Sequence, residues 1–178
     1  GCYPRADERW SDAEAARLRQ TAHLGLRFDA DHRGPGLLVR DVITDGPADK
    51  ADVSIEPGDI VLRIDGHEVD PAMDLTEVLN ERRDRDIELL VQSSDGDEEE
   101  TLTVRPISYG AARSLLYGQW LEHNRQMVSQ LSEAKLGYLH IRAMNQSSFY
   151  EFERQLYNAG EGKEGLVSDV RDNGGGST

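Results

Sequence analysis

The residues Gly165-Leu166-Val167-Ser168-Asp169-Val170 run directly into Arg171-Asp172-Asn173-Gly174-Gly175-Gly176. A short apolar run of this kind reads as a buried strand. Consecutive glycines cost too much backbone entropy to extend a strand or to form a helix cheaply, so the strand must end in a turn. Upstream, Leu136 to Ile141 reads as another strand. Between the two, Ser147 is the expected N-cap of a helix reaching Asn158, with Phe149, Phe152 and Leu156 inward. Strand, helix, strand and glycine turn describe a parallel α/β unit with a site at the carboxyl end of its strands.

The rest of the chain is of another class. Leu24 to Phe28, Leu37 to Ile43, Asp59 to Ile64, Ile87 to Val91 and Thr101 to Val104 read as strands. Asp65-Gly66 is a tight-turn dipeptide, and Asp95-Gly96 marks a hairpin whose acidic tip runs from Asp97 to Glu100. Gly46-Pro47-Ala48 opens a short helical turn through Ala51, and Met73, Leu75, Val78 and Leu79 share one face of a helix expected from Pro71 to Arg82. Arg105-Pro106 marks the boundary. Beyond it a long helix is expected from Tyr109 to Leu131, with Leu116, Trp120, Met127 and Leu131 on one side. Residues 1–23 form a lead-in with a short helix after Ser11, free of any signal-like apolar stretch.

Charge and cysteine usage narrow the function classes. A net charge of −14 argues against a nucleic-acid partner, which needs concentrated Lys and Arg. The single cysteine, Cys2, allows no internal disulfide and no thiolate cluster. The five histidines lack the H-E-x-x-H spacing of a zinc enzyme, so no metal or cofactor is expected. No apolar run is long enough to span a bilayer.

Residues 24–106 resemble a PDZ domain. The resemblance rests on Leu24-Gly25-Leu26, Gly46-Pro47-Ala48 with Ala51, Pro57-Gly58-Asp59-Ile60 and Ile64-Asp65-Gly66. It implies that a peptide adds as a strand to an open sheet edge, its C-terminal carboxylate held by main-chain amides. By resemblance Leu24, Gly25 and Leu26 form the carboxylate loop. Leu26 and Phe28 flank the groove on the strand side, and Leu75, Val78 and Leu79 on the helix side. The same apolar residues read equally well as core, with the groove closed or unused.

Residues 107–178 resemble the start of the catalytic domain of tricorn-type and C-terminal processing serine proteases. Leu136-Gly137-Tyr138-Leu139-His140-Ile141 and the run from Gly165 to Gly176 carry the match, as does the long helix with Trp120 and Glu122-His123-Asn124-Arg125. The resemblance implies a nucleophilic serine beyond the glycine turn, a base in a Ser-His pair before the PDZ module, and a later glutamate. None of the three is assignable in this sequence, so the chain by itself is expected to be inactive. An N–H of Gly174 or Gly175 is the candidate donor to the oxyanion, while Arg171 and Asn173 are expected to brace the turn. Ser168 stands where the family has a bulky apolar residue and is expected to weaken packing. His140 reads as structural. A phosphate loop would require a lysine after the glycines, and there is none.

The expected architecture is therefore α+β to α/β: a β-rich, PDZ-like barrel at 24–106, then the first strand-helix-strand part of an α/β serine-protease core at 107–178. The function implied is hydrolysis of peptides through an acyl-enzyme, with the PDZ module recognising peptide C-termini or gating substrate. The alternative is a non-catalytic PDZ scaffold that recruits C-terminal tails. Peptides or unfolded proteins are the expected partners. Family resemblance adds a homo-oligomeric parent in the cytoplasm, or alternatively the periplasm.

Overall fold

The computed structural model describes residues 21–83, 85–96 and 98–176. The chain divides into two compact units between Leu116 and Tyr117. The helix expected after Ser11, Cys2 and Ser177 lie outside the described residues.

The first unit is built on an antiparallel sheet. Its strands are β2 (Leu26–Phe28), β3 (Leu37–Val42), β4 (Ile60–Ile64), β6 (Ile87–Gln92) and β7 (Glu99–Val104), in the order β2-β3-β4-β6-β7. β5 (His67–Glu68) pairs with β4 through a turn at Asp65 and Gly66, both at positive φ, as that dipeptide predicts. β1 (Ala22–His23) pairs with β8 (Ile107–Ser108). Alternation decides which side chains go inward: Ile87, Leu89 and Val91 are buried, whereas Glu88 is exposed. In β4 both Val61 and Ile64 are fully buried although three residues apart, because a register shift between Val61 and Arg63 re-aims the strand. Each such side chain contributes about 1.5–3 kcal/mol by leaving water.

Two aspartates of the glycine motifs act as ties. Asp59 is buried, and its carboxylate accepts the Glu56 N–H at 2.8 Å and the Ser94 N–H at 2.9 Å, joining two loops. Asp65 accepts from the Glu88 N–H and pairs with Arg82 and Arg85.

The helix expected from Pro71 to Arg82 is only one turn, α1 (Thr76–Leu79). Aspartates outcompete the helix on its N-terminal side. Asp70 Oδ1 accepts the Ala72 N–H at 2.7 Å, and Asp74 Oδ1 accepts the N–H and hydroxyl of Thr76. At the other end Asn80 is extended and bridges to Thr21, and Glu81 has φ +58°. Residues 47–51 form turns without a helix.

The second unit contains most of α2 (Tyr109–Leu131), then β9 (Leu136–His140), α3 (Gln146–Gly160) and β10 (Gly165–Asp169). β9 and β10 are parallel, pairing from Leu136 with Gly165 to His140 with Asp169. α3 approaches β9 so closely that a Cβ on Gly137 would lie 1.9 Å from the Ala159 carbonyl oxygen.

Several expectations are corrected here. Asn145, not Ser147, caps α3, its side chain accepting the Ser148 N–H at 2.9 Å. Phe149 is 51% exposed, so the expected inward face of α3 holds only for the half-buried Phe152 and Leu156. Met127 and Leu131 are also exposed, leaving only Leu116 and Trp120 of the expected α2 face half-buried. Ser168 is exposed, so it burdens no core. None of the helices among the described residues is long and apolar enough to cross a membrane.

Candidate functional site

The glycine turn is built by the strand before it. At the end of β10 the Asp169 carboxylate is buried and receives the Tyr138 hydroxyl at 2.6 Å. The same carboxylate takes the Arg171 N–H at 2.9 Å and its guanidinium Nε–H at 2.9 Å. Those Arg171 bonds hold the Asp169 carboxyl well below the usual carboxylate range. Tyr138 moves the other way: burial, reinforced by its bond to Asp169, raises its hydroxyl well above an ordinary tyrosine. The Arg171 guanidinium also stacks over the Trp120 ring, 5.5 Å from its centroid.

His140 secures the next peptide. Its Nε2–H donates to the Arg171 carbonyl at 2.8 Å, and Nδ1 lies 2.8 Å from the Tyr117 hydroxyl. Trp120 meets the imidazole edge-on. The histidine is buried and committed to main chain, as a structural residue would be.

The turn itself lies along residues 141–144. Asn173 Nδ2 donates to the Ile141 carbonyl at 2.7 Å, and the Met144 N–H donates to the Gly175 carbonyl at 2.9 Å. The three glycines differ in what they require. Gly174 has open space at its Cβ position, Gly175 has φ +75°, and a Cβ on Gly176 would collide with the Met144 carbonyl at 1.5 Å. Both candidate donors are engaged: the Gly174 N–H reaches the Arg142 carbonyl at 3.3 Å, and the Gly175 N–H donates to Asn173 Oδ1 at 2.7 Å. The turn thus brings two adjacent amides together at the strand end, that of Gly175 facing an acceptor within the turn and that of Gly174 an acceptor in the neighbouring 141–144 segment. Among the described residues no serine is hydrogen-bonded to a histidine.

The groove candidates fall into two sets. Leu24, Leu26, Val78 and Leu79 are 2–6% exposed and belong to one continuous core. Phe28 and Leu75 pack against that core while staying partly open. β2 is an edge strand. The Gly25 carbonyl accepts from Ile43 and the Asp29 N–H donates to Leu38, so both face β3. By the period of two, the main-chain groups of Leu26 and Phe28 face away from the sheet. Gly25 has φ +81°, and a Cβ there would lie 2.7 Å from Pro47 Cδ. Its N–H donates to His23 Nδ1 at 3.0 Å. Burial, with a smaller contribution from Arg27, lowers the His23 pKa and favours this neutral acceptor.

Arg171 and Asn173 brace the turn as expected, but sequence reasoning did not identify their partners, the Tyr138–Asp169 pair for Arg171 and the Gly175 amide for Asn173. The available signal for the second was an Asn two residues before a glycine, the spacing of an Asx turn.

Comparison with known proteins matches residues 22–105 to the PDZ domain and residues 135–178 to peptidase family S41. The chain is 32% identical over 126 residues to Tricorn protease homolog 1 of Streptomyces coelicolor, covering 71% of this chain and 12% of that protein. It is 35% identical over 124 residues to the Tricorn protease homolog of Saccharolobus solfataricus, covering 70% of this chain and 11% of the relative. The chain therefore spans about one-eighth of the length of these relatives. The crystal structure of the tricorn protease superposes with a TM-score of 0.66 at 25% identity, covering 88% of this chain and 15% of that one. The chain thus carries a PDZ domain at 22–105 and a peptidase family S41 segment at 135–178, the pairing over which it is similar to the tricorn protease and its homologues.

Proposed function

We propose that this chain serves a serine-type peptidase that hydrolyses peptides through an acyl-enzyme. The observation that carries the reading is the pair of adjacent amides, Gly174 and Gly175, in a turn braced at the carboxyl end of β10. Backbone donors fixed before reaction stabilise a developing oxyanion because little reorganisation is needed. In this reading the Gly175 N–H exchanges the Asn173 side chain for the substrate oxygen as the substrate docks. The nucleophile and base lie outside the described residues. The PDZ module takes an extended peptide along β2, where the outward groups of Leu26 and Phe28 offer strand-type bonds. Its carboxylate is received at the 24–26 loop, the Gly25 N–H exchanging the His23 ring nitrogen for a carboxylate oxygen. Phe28 and Leu75 contact the peptide, with Leu24, Leu26, Val78 and Leu79 forming the floor.

A fluorophosphonate probe tests the hydrolase reading. The polypeptide of the complete reading frame is expected to label on a serine, and residues 1–178 alone are not. Labelling of the short chain would overturn the assignment of the nucleophile, and failure of the complete protein to label would overturn the hydrolase.

The engagement of both glycine amides favours a second reading, a non-catalytic scaffold in which the turn is only structural. Peptides with free or amidated C-termini separate groove capture from its absence, since equal binding rules out carboxylate recognition. The charge of −14 supports peptide over nucleic-acid partners. Cytoplasmic location and homo-oligomeric assembly rest on the family resemblance.

A further inference from the structure

We infer that His23 is itself a ligand for the peptide carboxylate, taking up a proton at Nδ1 as a C-terminus docks at the 24–26 loop. The inference rests on the groove reading and adds to it a charged donor and a coupled proton.

The geometry decides where the proton goes. His23 Nδ1 accepts the Gly25 N–H at 3.0 Å. A neutral imidazole with an accepting Nδ1 carries its hydrogen on Nε2, so the lone pair is on Nδ1. A carboxylate approaching the Gly25 amide meets that lone pair, and two acceptors compete for one donor. A proton from solvent on Nδ1 reverses the arrangement. The bond to Gly25 is lost, and two N–H groups stand side by side with their nitrogens 3.0 Å apart. Paired donors suit the two oxygens of a carboxylate, as a guanidinium does, and one of these donors is charged. Proton and carboxylate therefore enter together. Without the carboxylate the protonated ring sets N–H against N–H, and without the proton the carboxylate faces a lone pair.

The surroundings leave room for this exchange. His23 ends β1 immediately before the loop and is half-buried. The ring of Tyr109, at the start of α2, meets it edge-on with centroids 5.5 Å apart. Its cross-strand partner on β8 is the uncharged Ile107. Arg27 of β2 acts on it through charge and is itself paired with Asp41 at 2.6 Å. The turn packed on Gly25 brings Pro47 and Ala48, and the nearby Asp49 carboxylate is turned onto the Asp45 N–H. Burial and Arg27 disfavour the imidazolium in the empty loop, and an arriving carboxylate supplies the counter-charge. Among the described residues His23 is the only histidine that accepts from a main-chain N–H.

The test uses the full 178-residue chain and a short, uncharged, fluorophore-labelled peptide ending in leucine, as the free acid and as the amide. Anisotropy titrations run from about pH 8 to about pH 5.5, where unfolding curves show the chain folded. The complex holds more protons than the free chain, so affinity for the acid is expected to rise as pH falls. The gain is at least about tenfold, since an opposite charge moves a neighbouring pKa by about 1–3 and each step of one is tenfold. The amide peptide is expected to show no such rise. His23→Asn is expected to bind the acid with less than about twofold change over the same range. Calorimetry in two buffers of different ionisation enthalpy counts the proton directly in the wild-type chain and needs no variant. An acid peptide that binds more tightly than the amide but without pH dependence or proton uptake overturns the role of His23 and leaves the groove standing. So does a pH dependence that survives in the Asn variant. Equal binding of acid and amide, or binding of neither, overturns the groove reading and this inference together.

Discussion

Oδ1 of Asn173 accepts the Gly175 N–H at 2.7 Å, so the turn carries its own internal ligand for the amide proposed to act on substrate. The other end of the same side chain holds the Ile141 carbonyl. Asn173→Ala breaks both bonds and is expected to cost about 1–2 kcal/mol in denaturant unfolding. Asn173→Asp keeps the acceptor and loses the donor. Hydrogen exchange then separates the two roles: the Gly175 amide is expected to exchange several-fold faster than wild type in the Ala variant and near wild type in the Asp variant, measured relative to the amides of β10. Equal exchange in both variants would sink the internal-ligand idea.

The glycine run makes a second prediction. Gly176→Ala places a methyl against the Met144 carbonyl and is expected to destabilise the chain by about 1–3 kcal/mol, as overpacking does. Gly174→Ala meets open space and is expected to change stability by no more than about 0.5 kcal/mol. Gly175→Ala pays for its positive φ and falls between them. Thermal unfolding of the three variants gives the ranking, and a Gly174 variant as damaging as the Gly176 variant would contradict the packing described here.

The strands are legible in the sequence because burial follows their alternation. Ile87-Glu88-Leu89 is an example, and β9 and β10 stand within a residue of the expected bounds. Helix length is less legible. The spacing of Met73, Leu75, Val78 and Leu79 is helical, yet Asp70 and Asp74 capture nearby amides and shorten α1 to one turn. The groove is the hardest case. Leu24, Leu26, Val78 and Leu79 have the residue types of a groove wall and of a core alike, and only packing shows them buried. Ser168 and Phe149 carry the converse lesson: inward by family resemblance and by helical spacing respectively, they lie on surfaces the described residues leave open.

Tyr138 and Asp169 predict opposite limbs of a pH profile. Asp169 has a folded pKa held below its unfolded value, chiefly by Arg171, so its contribution is present above about pH 4 and is lost as pH falls through and below that value. Tyr138 has a folded pKa raised by burial, so its contribution is complete below about pH 10 and is lost as pH rises beyond it. Asp169→Asn is expected to lower stability at neutral pH by about 1–3 kcal/mol and to flatten the acid limb. Tyr138→Phe removes the alkaline limb while leaving the Arg171 pairing. Unfolding midpoints between pH 3 and pH 11 check both, and an acid limb unchanged in the Asn variant would assign it to other carboxylates.

His23 makes the 24–26 loop sensitive to mild acid. Its Nδ1 accepts the Gly25 N–H, which only an unprotonated Nδ1 can do, and burial lowers its pKa in the folded chain. An unfolded histidine takes up its proton near pH 6.5. Below that value the unfolded chain holds more protons than the folded one, so stability falls as pH drops from about 7 toward 5. His23→Asn can place a side-chain oxygen near Nδ1 and is expected to keep most of the stability at pH 7 while losing this slope. His23→Ala leaves the buried Gly25 amide without an acceptor and is expected to cost about 1–3 kcal/mol at every pH. Denaturant unfolding at pH 5, 6, 7 and 8 separates the outcomes. A slope that persists in the Asn variant would show that another histidine governs it, and the His23–Gly25 bond would then have no part in the pH response.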